Sequence, residues 1–230
     1  MLSSKTIAIH QPNYIPWLGY FYKIHQADIF VFHDDTQFSE SGMHHYNYIK
    51  TPQGKFRLKI PVEKSTGMNI NQILTKDKLG WKKKHLKTIE FNYKKARFFD
   101  EVYTDFAMML EKDYENLAVM NQEIIILFCK KLGIDSNFQL SSKLNLSSTR
   151  EEKIFDTCNK LNADIYFSGT GARAYQNEEN FIKRGIQLKY SEFKPFQYFQ
   201  LWDSFEPNVS IIDYLMLNGY DWNKVLVNQK

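Results

Sequence analysis

Three polar or glycine-rich stretches of this chain carry side chains that can bind or react with a small molecule. Each follows an apolar run typical of a buried strand, and the stretches are HQPNY (10–14), HDDTQF (33–38) and SGTGAR (168–173). A histidine suits general base catalysis near neutral pH, and a carboxylate can orient it or an incoming amine. If the three strands are parallel, these stretches meet at one edge of a sheet, where open α/β sheets bind their ligands.

The first stretch leads into a turn that is rich in hydrogen-bonding and aromatic side chains. Pro12 and Pro16 stiffen this turn, and Gly19 allows close approach of the backbone. The side chains that we expect to contact a substrate here are Gln11, Asn13, Tyr14, Trp17 and Tyr20. Two interpretations stay open: the turn forms the floor of a small-molecule pocket, or it is a stiffened loop whose polar groups cap the following helix.

The best candidates for catalysis are His10 as a general base and Asp34 or Asp35 as the group that orients it or an amine. Adjacent residues of a strand point in opposite directions, so only one aspartate can face a ligand if the strand continues. Residue types that suit zinc or manganese also occur, with a spacing that matches no standard signature, at His33, Asp34, His44 and His45. We therefore predict no metal, and no cofactor signature is visible.

The third stretch places small residues and backbone N–H groups at a possible helix start, an arrangement that suits an anion such as phosphate. A plain tight turn is the other interpretation. The residues expected to bind the phosphate of a substrate are Ser168, Gly169, Thr170, Gly171 and Arg173. Gln37 and Asn47 are expected to hold other polar groups of the substrate.

The elements that must position these residues alternate between strands and helices. Apolar runs at 6–10 and 29–33 flank a helical pattern, which makes a compact βαβ unit, and residues 47–62 alternate as a β-hairpin does. Helical spacing dominates from 81 to 133, and further strands are expected near 137–141, 163–168 and 186–190. We predict a single α/β domain over residues 1–230, with a Rossmann-like, mostly parallel sheet, an antiparallel hairpin and a helical insertion at about 81–133.

Composition excludes several classes of protein. No apolar run approaches the ~20 residues that span a bilayer, so no membrane insertion is expected. The N-terminal MLSSK leads directly into a strand, which predicts a cytoplasmic protein. A net charge of +4 without a dense basic face argues against a nucleic-acid partner. Cys129 and Cys158 are expected to be reduced, buried thiols.

The chain resembles the WbqC-like family over nearly its whole length. The matching segments are HQPNYIPWLGYF (10–21), AD (27–28), HDDTQF (33–38), KIPV (59–62), Trp81 with His85, YFSGTGARAY (166–175) and SIIDYLMLNG (210–219). The family pattern has an Arg beside the Asn of segment 44–49, where this chain reads HHYNYI. This chain lacks that Arg, so a contact with an anion at this position is expected only if His44 or His45 makes it instead.

This resemblance implies a role in surface polysaccharide synthesis, because family members lie among genes for O-antigen and related polymers. The first βαβ unit also resembles, more distantly, the first βαβ unit of nucleotidylyltransferases and pantothenate synthetases. In those enzymes the turn reads His-x-Gly-His, and here Trp17-Leu-Gly-Tyr20 keeps only the Gly. Their architecture is implied by this resemblance, and their His-assisted adenylyl transfer is not.

The prediction is an enzyme of O-antigen or surface polysaccharide biosynthesis that acts on a nucleotide-linked amino sugar. It would transfer an acyl or aminoacyl group, from an acyl or amino-acid donor, to the amine of that sugar. The alternative is a non-catalytic sugar- or nucleotide-binding accessory protein of a glycosyltransferase system. An enzyme should place His10 and an aspartate within hydrogen-bond reach in a concave pocket.

Overall fold

The computed structural model of the chain describes residues 4–63 and 67–230. Residues 1–3, which begin the N-terminal lead-in considered above, and residues 64–66 lie outside the described part. The chain divides into two compact units. Unit 1 contains the described residues of Met1–Gln11, Gly19–Asp35 and Ile134–Phe193. Unit 2 contains those of Pro12–Leu18, Thr36–Gly133 and Lys194–Lys230.

Strands and helices alternate along the described residues. The strands are β1 (Thr6–His10), β2 (Ile29–Phe32), β3 (Tyr46–Thr51), β4 (Gly54–Lys59), β5 (Val62–Glu63), β6 (Leu74–Thr75), β7 (Asn137–Leu140), β8 (Ile165–Gly169) and β9 (Gln187–Ser191). The helices are α1 (Leu18–His25), α2 (Trp81–Tyr93), α3 (Phe99–Glu111), α4 (Leu117–Leu132), α5 (Arg150–Lys160), α6 (Glu178–Ile182), α7 (Ile211–Asn218) and α8 (Trp222–Val227). None of these helices is both long and apolar enough to cross a membrane.

Unit 1 is built on a five-stranded sheet with the order β7-β2-β1-β8-β9. All of its strand pairs are parallel, with Ile7 opposite Ile29 in β1 and β2, and Ile7 opposite Tyr166 in β1 and β8. The carboxyl ends of β1, β2 and β8 therefore lie at one edge of the sheet, which confirms the expectation from the sequence. From β7 to β1 each strand of the sheet comes earlier in the chain than its neighbour, and from β8 to β9 the strands come later again. The strand order therefore reverses between β1 and β8.

The three inner strands β1, β2 and β8 are nearly continuous apolar runs because the sheet excludes water from their side chains, whereas the edge strands β7 and β9 are partly exposed. Buried residues of the strands pack with residues of α5 and α6, and the ring of Tyr166 stacks on Phe181 with centroids 5.7 Å apart. This hydrophobic cluster consists of Ile7, Ile9, Val31, Leu144, Phe155, Cys158, Tyr166, Phe181, Ile186 and Leu188.

Unit 2 contains the predicted hairpin and the predicted helices between 81 and 133. β3 pairs with β4 in antiparallel register, and Gly54 takes the left-handed backbone (φ 94°) that the tight turn after Thr51 requires. Helix α4 ends at Gly133, which adopts φ 68° as its left-handed cap. Both cysteines of the chain are free and buried, Cys129 in this unit and Cys158 in unit 1.

Several features of the structure differ from the prediction or decide between its alternatives. The short pair β5–β6 and helix α8 were not predicted, because two-residue strands have no periodicity and α8 buries only Trp222 and Val225. Of the two interpretations of the stretch after β8, a helix start or a tight turn, the structure has a single 3₁₀ turn at Thr170–Ala172. Strand β2 ends at Phe32, one residue before the predicted end. A single domain over 1–230 stays a prediction.

Candidate functional site

The end of β1 fixes the tautomer of His10. The Nδ1 atom of His10 lies 3.1 Å from the backbone oxygen of Gln11, and the hydroxyl of Tyr20 donates to the same oxygen at 2.9 Å. The rings of His10 and Tyr20 meet edge to face with centroids 4.7 Å apart. A carbonyl oxygen only accepts, so Nδ1 carries the proton and Nε2 is the accepting nitrogen of the neutral ring. This arrangement is suited to a base that acts through Nε2.

A buried lysine lies beside His10 and was not predicted. Lys23 of α1 is 5% exposed, and its Nζ atom donates to the backbone oxygen of Ile9 at 2.8 Å. Burial lowers the pKa of Lys23 to about 7. The sequence signal that could have found it is a lone charge within the apolar face formed by Tyr20, Phe21 and Ile24.

Asp34 and Asp35 follow β2 in a turn, so the strand alternation considered above does not apply to them. Asp34 accepts hydrogen bonds from the backbone N–H of Ser142 at 3.1 Å and from its hydroxyl at 2.7 Å. Asp35 accepts from Lys153 at 2.6 Å and from the hydroxyl of Ser141. These bonds join the end of β2 to the segment after β7. A role for either carboxylate in orienting His10 or an amine stays a prediction.

The electrostatics of this cluster favour an ionised aspartate and a neutral histidine. Burial opposes ionisation of Asp35, but hydrogen bonds from Lys153 and Ser141 outweigh it and hold the pKa of Asp35 below its usual range. Burial and then the charge of Lys153 lower the pKa of His33 to about 4, although its Nε2 lies 3.9 Å from Asp35. Asp35 and Lys153 therefore form a charged pair at the same sheet edge as His10.

The third stretch lies at the end of β8, the neighbour of β1. Ser168 is buried and donates to the side-chain oxygen of Gln176 at 2.9 Å, whereas Thr170, Gly171 and Arg173 are exposed. Arg173 contacts Glu192 at 3.3 Å and lies over the ring of Tyr190 at 4.7 Å. The possible helix start after β8 is a 3₁₀ turn of three residues, Thr170–Ala172.

Neither glycine of this turn needs a left-handed backbone. Gly169 has φ −78°, and Gly171 is not among the glycines with positive φ. A Cβ atom built on either residue meets no atom within 4 Å. Contact of Ser168, Gly169, Thr170, Gly171 or Arg173 with a phosphate stays a prediction.

Of the remaining predicted residues, Gln11 and Tyr20 belong to unit 1 and the others belong to unit 2. In unit 2 the side chain of Asn47 stabilises the turn that contains Tyr14 and Ile15. The fully buried amide of Asn47 donates to the backbone oxygens of Tyr14 at 3.0 Å and Ile15 at 2.9 Å. Its oxygen accepts from the N–H of Tyr48 at 2.8 Å. Ile15 has φ 35°, an uncommon backbone conformation for a β-branched residue. The amide therefore stabilises a strained turn, and its contact with a substrate stays a prediction.

Tyr14, Trp17 and Gln37 have different surroundings. Tyr14 is fully buried, and its hydroxyl lies 2.9 Å from Nδ1 of His85, so it packs inside unit 2. Trp17 is partly buried, and Gln37 is exposed and forms an antiparallel bridge with Asn69. Stacking of a substrate ring on Tyr14 would need this packing to open.

Asn13 belongs to a group of buried polar side chains with unsatisfied atoms. The amide of Asn121 donates to the backbone oxygens of Pro12 at 3.0 Å and His44 at 2.7 Å, which ties the two segments together. Among the described residues, no hydrogen-bond partner meets Oδ1 of Asn13, Oδ1 of Asn121, Nδ1 of His44 or either ring nitrogen of His45. Burial lowers the pKa of His44 and of His45 to about 4, so both rings are neutral.

No metal centre is formed by the residues that the structure describes: no group of at least three His, Cys, Asp and Glu side chains is placed to hold an ion. The four residues considered for zinc or manganese are divided between the units, with His33 and Asp34 in unit 1 and His44 and His45 in unit 2.

A second buried network in unit 2 surrounds Asp213 of α7. Its carboxylate is fully buried and accepts from the hydroxyls of Tyr93 at 2.7 Å and Tyr198 at 2.8 Å and from the amide of Gln200 at 2.8 Å. Burial raises the pKa of Asp213, although these hydrogen bonds oppose the shift. A single acid within the apolar run SIIDYLML is the sequence signal that could have found it.

The comparisons with known proteins agree with the resemblance noted from the sequence. The chain is 35% identical over 219 residues to the uncharacterized protein Rv1507c of Mycobacterium tuberculosis, with 94% of each chain covered. No solved structure matches the chain significantly. The profile of the WbqC-like protein family matches residues 11–225. The chain therefore belongs to the WbqC-like family.

Proposed function

We propose that the protein is an enzyme of surface polysaccharide synthesis that transfers an acyl or aminoacyl group to the amine of a nucleotide-linked amino sugar. The observation that carries this proposal is the edge of the unit 1 sheet. His10 and Gln11 follow β1, Ser168 and Gly169 end the neighbouring β8, and the strand order reverses between them. Open parallel sheets bind nucleotide ligands at this reversal point.

The strand order also supports a Rossmann-like description of unit 1. In chain order the sheet reads third, second, first, fourth, fifth, which is the order of doubly wound nucleotide-binding sheets. The β1-α1-β2 unit, with Gly19 buried in the first turn of α1, supports a nucleotidylyltransferase-like architecture for its first part. The loss of both histidines of that turn argues for a different reaction.

In the proposed reaction His10 acts through Nε2. The amine nitrogen of the sugar attacks the carbonyl carbon of the donor, and Nε2 takes the proton that the nitrogen loses. As the bond from that carbon to the leaving group breaks, the same proton passes to the leaving group, so charge and protons balance. The hydrogen bond to the backbone oxygen of Gln11 keeps the ring in the required tautomer, and the edge-to-face contact with Tyr20 supports its orientation.

The nucleotide phosphates are proposed to lie against the end of β8. The exposed Thr170, Gly171 and Arg173 offer backbone N–H groups and a guanidinium there. Glu192 contacts Arg173 at the surface, where an ion pair contributes little, so a phosphate can replace it. Asp34 or Asp35 is proposed to attract the incoming amine, and hydrogen bonds from Lys153 and Ser141 hold the pKa of Asp35 below its usual range.

The test is incubation of the purified protein with nucleotide-linked amino sugars and either acyl-coenzyme A donors or an amino acid with ATP. Mass spectrometry should detect the sugar nucleotide with one added acyl or aminoacyl group. His10→Gln, which keeps a polar side chain at the end of β1, should form no product while its circular dichroism and melting temperature match the parent. Binding of the sugar nucleotide without any transfer by the parent would instead support the accessory role.

A further inference from the structure

A cavity in unit 2 lies within a single segment near the end of the chain. It has a volume of 480 Å³ and is lined by residues between Gln197 and Phe205. Ligand pockets have volumes of about 300–1,000 Å³, so this cavity has room for a small ligand. None of the residues predicted from the sequence to bind or catalyse lines it.

Hydrogen bonds within the segment and to other residues of unit 2 hold the segment that forms the cavity in place. The side chain of Gln200 donates to Asp213 at 2.8 Å and accepts from the backbone N–H of Glu206 at 2.8 Å, which closes the loop. Tyr198 donates to the same carboxylate at 2.8 Å, and the buried Lys50 donates to the backbone oxygen of Ser204. These buried and partly buried bonds form a preorganised frame, and such frames reduce the ordering cost of binding.

The wall of the cavity contains exposed aromatic rings and a strained stretch of backbone. Phe199 is 72% exposed and Trp202 is 37% exposed, although both are large and apolar. Trp202 has φ 69° and Asp203 has φ 54°, so two consecutive residues that are not glycine adopt the left-handed region. Such strain costs of order 1–3 kcal/mol for each residue and is typical of sites that bind ligands.

The lining determines the charge of a suitable ligand. The described residues of the lining include the rings of Tyr198, Phe199, Trp202 and Phe205, the amide of Gln200 and the carboxylate of Asp203. None of them is a lysine or an arginine, so the lining offers a phosphate no charged partner. Aromatic faces beside a carboxylate attract a cationic amine, and they also accept the apolar face of a ring.

We infer that this cavity binds a saccharide ring that carries a protonated amino group and no phosphate. Asp203 pairs with the ammonium group, the rings of Phe199 and Trp202 pack against the sugar, and Gln200 with Tyr198 keeps the loop in shape. The inference goes beyond the proposed function, because the cavity requires neither His10 nor a transfer step.

The test is calorimetric titration of the full chain with glucosamine, glucose and glucose 6-phosphate, at a pH where the amine of glucosamine is protonated. Glucosamine should bind, and both other sugars should bind at least ten-fold more weakly, since neither offers a cation to Asp203. Equal affinity for glucose, tighter binding of the phosphate, or the absence of glucosamine binding would overturn the inference.

Variants then locate the site. Trp202→Gly removes the indole while glycine accepts the left-handed backbone without strain, so the variant should keep its circular dichroism spectrum and bind glucosamine about ten-fold more weakly. Asp203→Asn, which tolerates the same backbone, should lose the preference for glucosamine over glucose. Unchanged binding in both variants would refute the assignment.

Two controls separate this inference from the proposed function. Phe91→Ala removes an exposed ring (74%) of unit 2 that does not line the cavity, and it should bind glucosamine as the parent does. His10→Gln should also bind glucosamine normally. If the parent protein transfers the acyl or aminoacyl group and does not bind glucosamine, only this inference fails. If the parent binds glucosamine at this site and shows no transfer, only the proposed function fails.

Discussion

Replacing Asn47 by alanine distinguishes a side chain that binds substrate from one that holds a turn. In the structure its amide bonds to three backbone groups: the oxygens of Tyr14 and Ile15 and the N–H of Tyr48. The two oxygens are bonded in a buried environment, and the N–H is partly buried. Alanine leaves all three backbone groups without this partner and offers no other, so the substitution lowers the stability of the folded state directly.

The expected loss follows from these bonds. Each buried group left without a partner costs about 1–3 kcal/mol, so the two oxygens together cost about 2–6 kcal/mol. Relaxation of Ile15 from φ 35° returns about 1–2 kcal/mol, the cost of a left-handed residue. We therefore expect Asn47→Ala to lower the free energy of unfolding by about 1–4 kcal/mol, a substantial part of the ~5–15 kcal/mol that keeps a domain folded.

Chemical denaturation followed by tryptophan fluorescence measures this loss. Asn228→Ala is the matched control, because Asn228 is exposed and its amide bonds only to Lys224 of α8 among the described contacts. The control should stay within about 0.5 kcal/mol of the parent. If Asn47→Ala is as stable as the control and has lost affinity for a sugar nucleotide, the turn-holding role is refuted and the original prediction of substrate binding is correct.

Two further predictions concern stability. Because burial lowers the pKa of Lys23 to about 7, the unfolded chain holds a proton between about pH 7 and pH 10 that the folded chain has released. Stability should therefore rise with pH across this window, by at most about 1.4 kcal/mol per pH unit, and Lys23→Met should abolish the rise in denaturation curves. Gly42→Ala would bring a Cβ atom to 2.2 Å from the buried ring of His44 and should lower stability by about 1–3 kcal/mol. Gly171→Ala meets no atom within 4 Å and should melt as the parent does; equal melting temperatures for the two glycine variants would contradict the packing described around His44.

The sequence predicted the elements whose burial is periodic. The runs at β1, β2 and β8 are apolar because helices cover the sheet, and the helices α2, α3 and α4 show the spacing of one buried face. The alternation of strands and helices along the chain predicted that these strands are parallel. Parallel strands in turn place His10 and Ser168 at the same edge of the sheet.

The partners of polar side chains could not be predicted in the same way. Hydrogen bonds such as that of Asp34 to Ser142, or of Asn47 to Tyr14, join residues far apart in the chain and depend on the finished fold. A motif shows that a side chain can bond, but it does not show whether the backbone or a ligand supplies the partner. Lys23 and Asp213 do carry a signal in the sequence, because each is a charged residue within an apolar run. Sequence analysis can single out residues of this kind.

The interleaving of the two units has a consequence for how the protein is made. The chain passes from one unit to the other after residues 11, 18, 35, 133 and 193. The central strand β1 pairs with β8, so it leaves the ribosome long before its partner and must wait for it. Closing such a long loop is slow, and exposed strand edges in the meantime favour aggregation. No single cut separates the units, and neither can be produced alone by truncation; dissecting them requires circular permutation or coexpressed fragments.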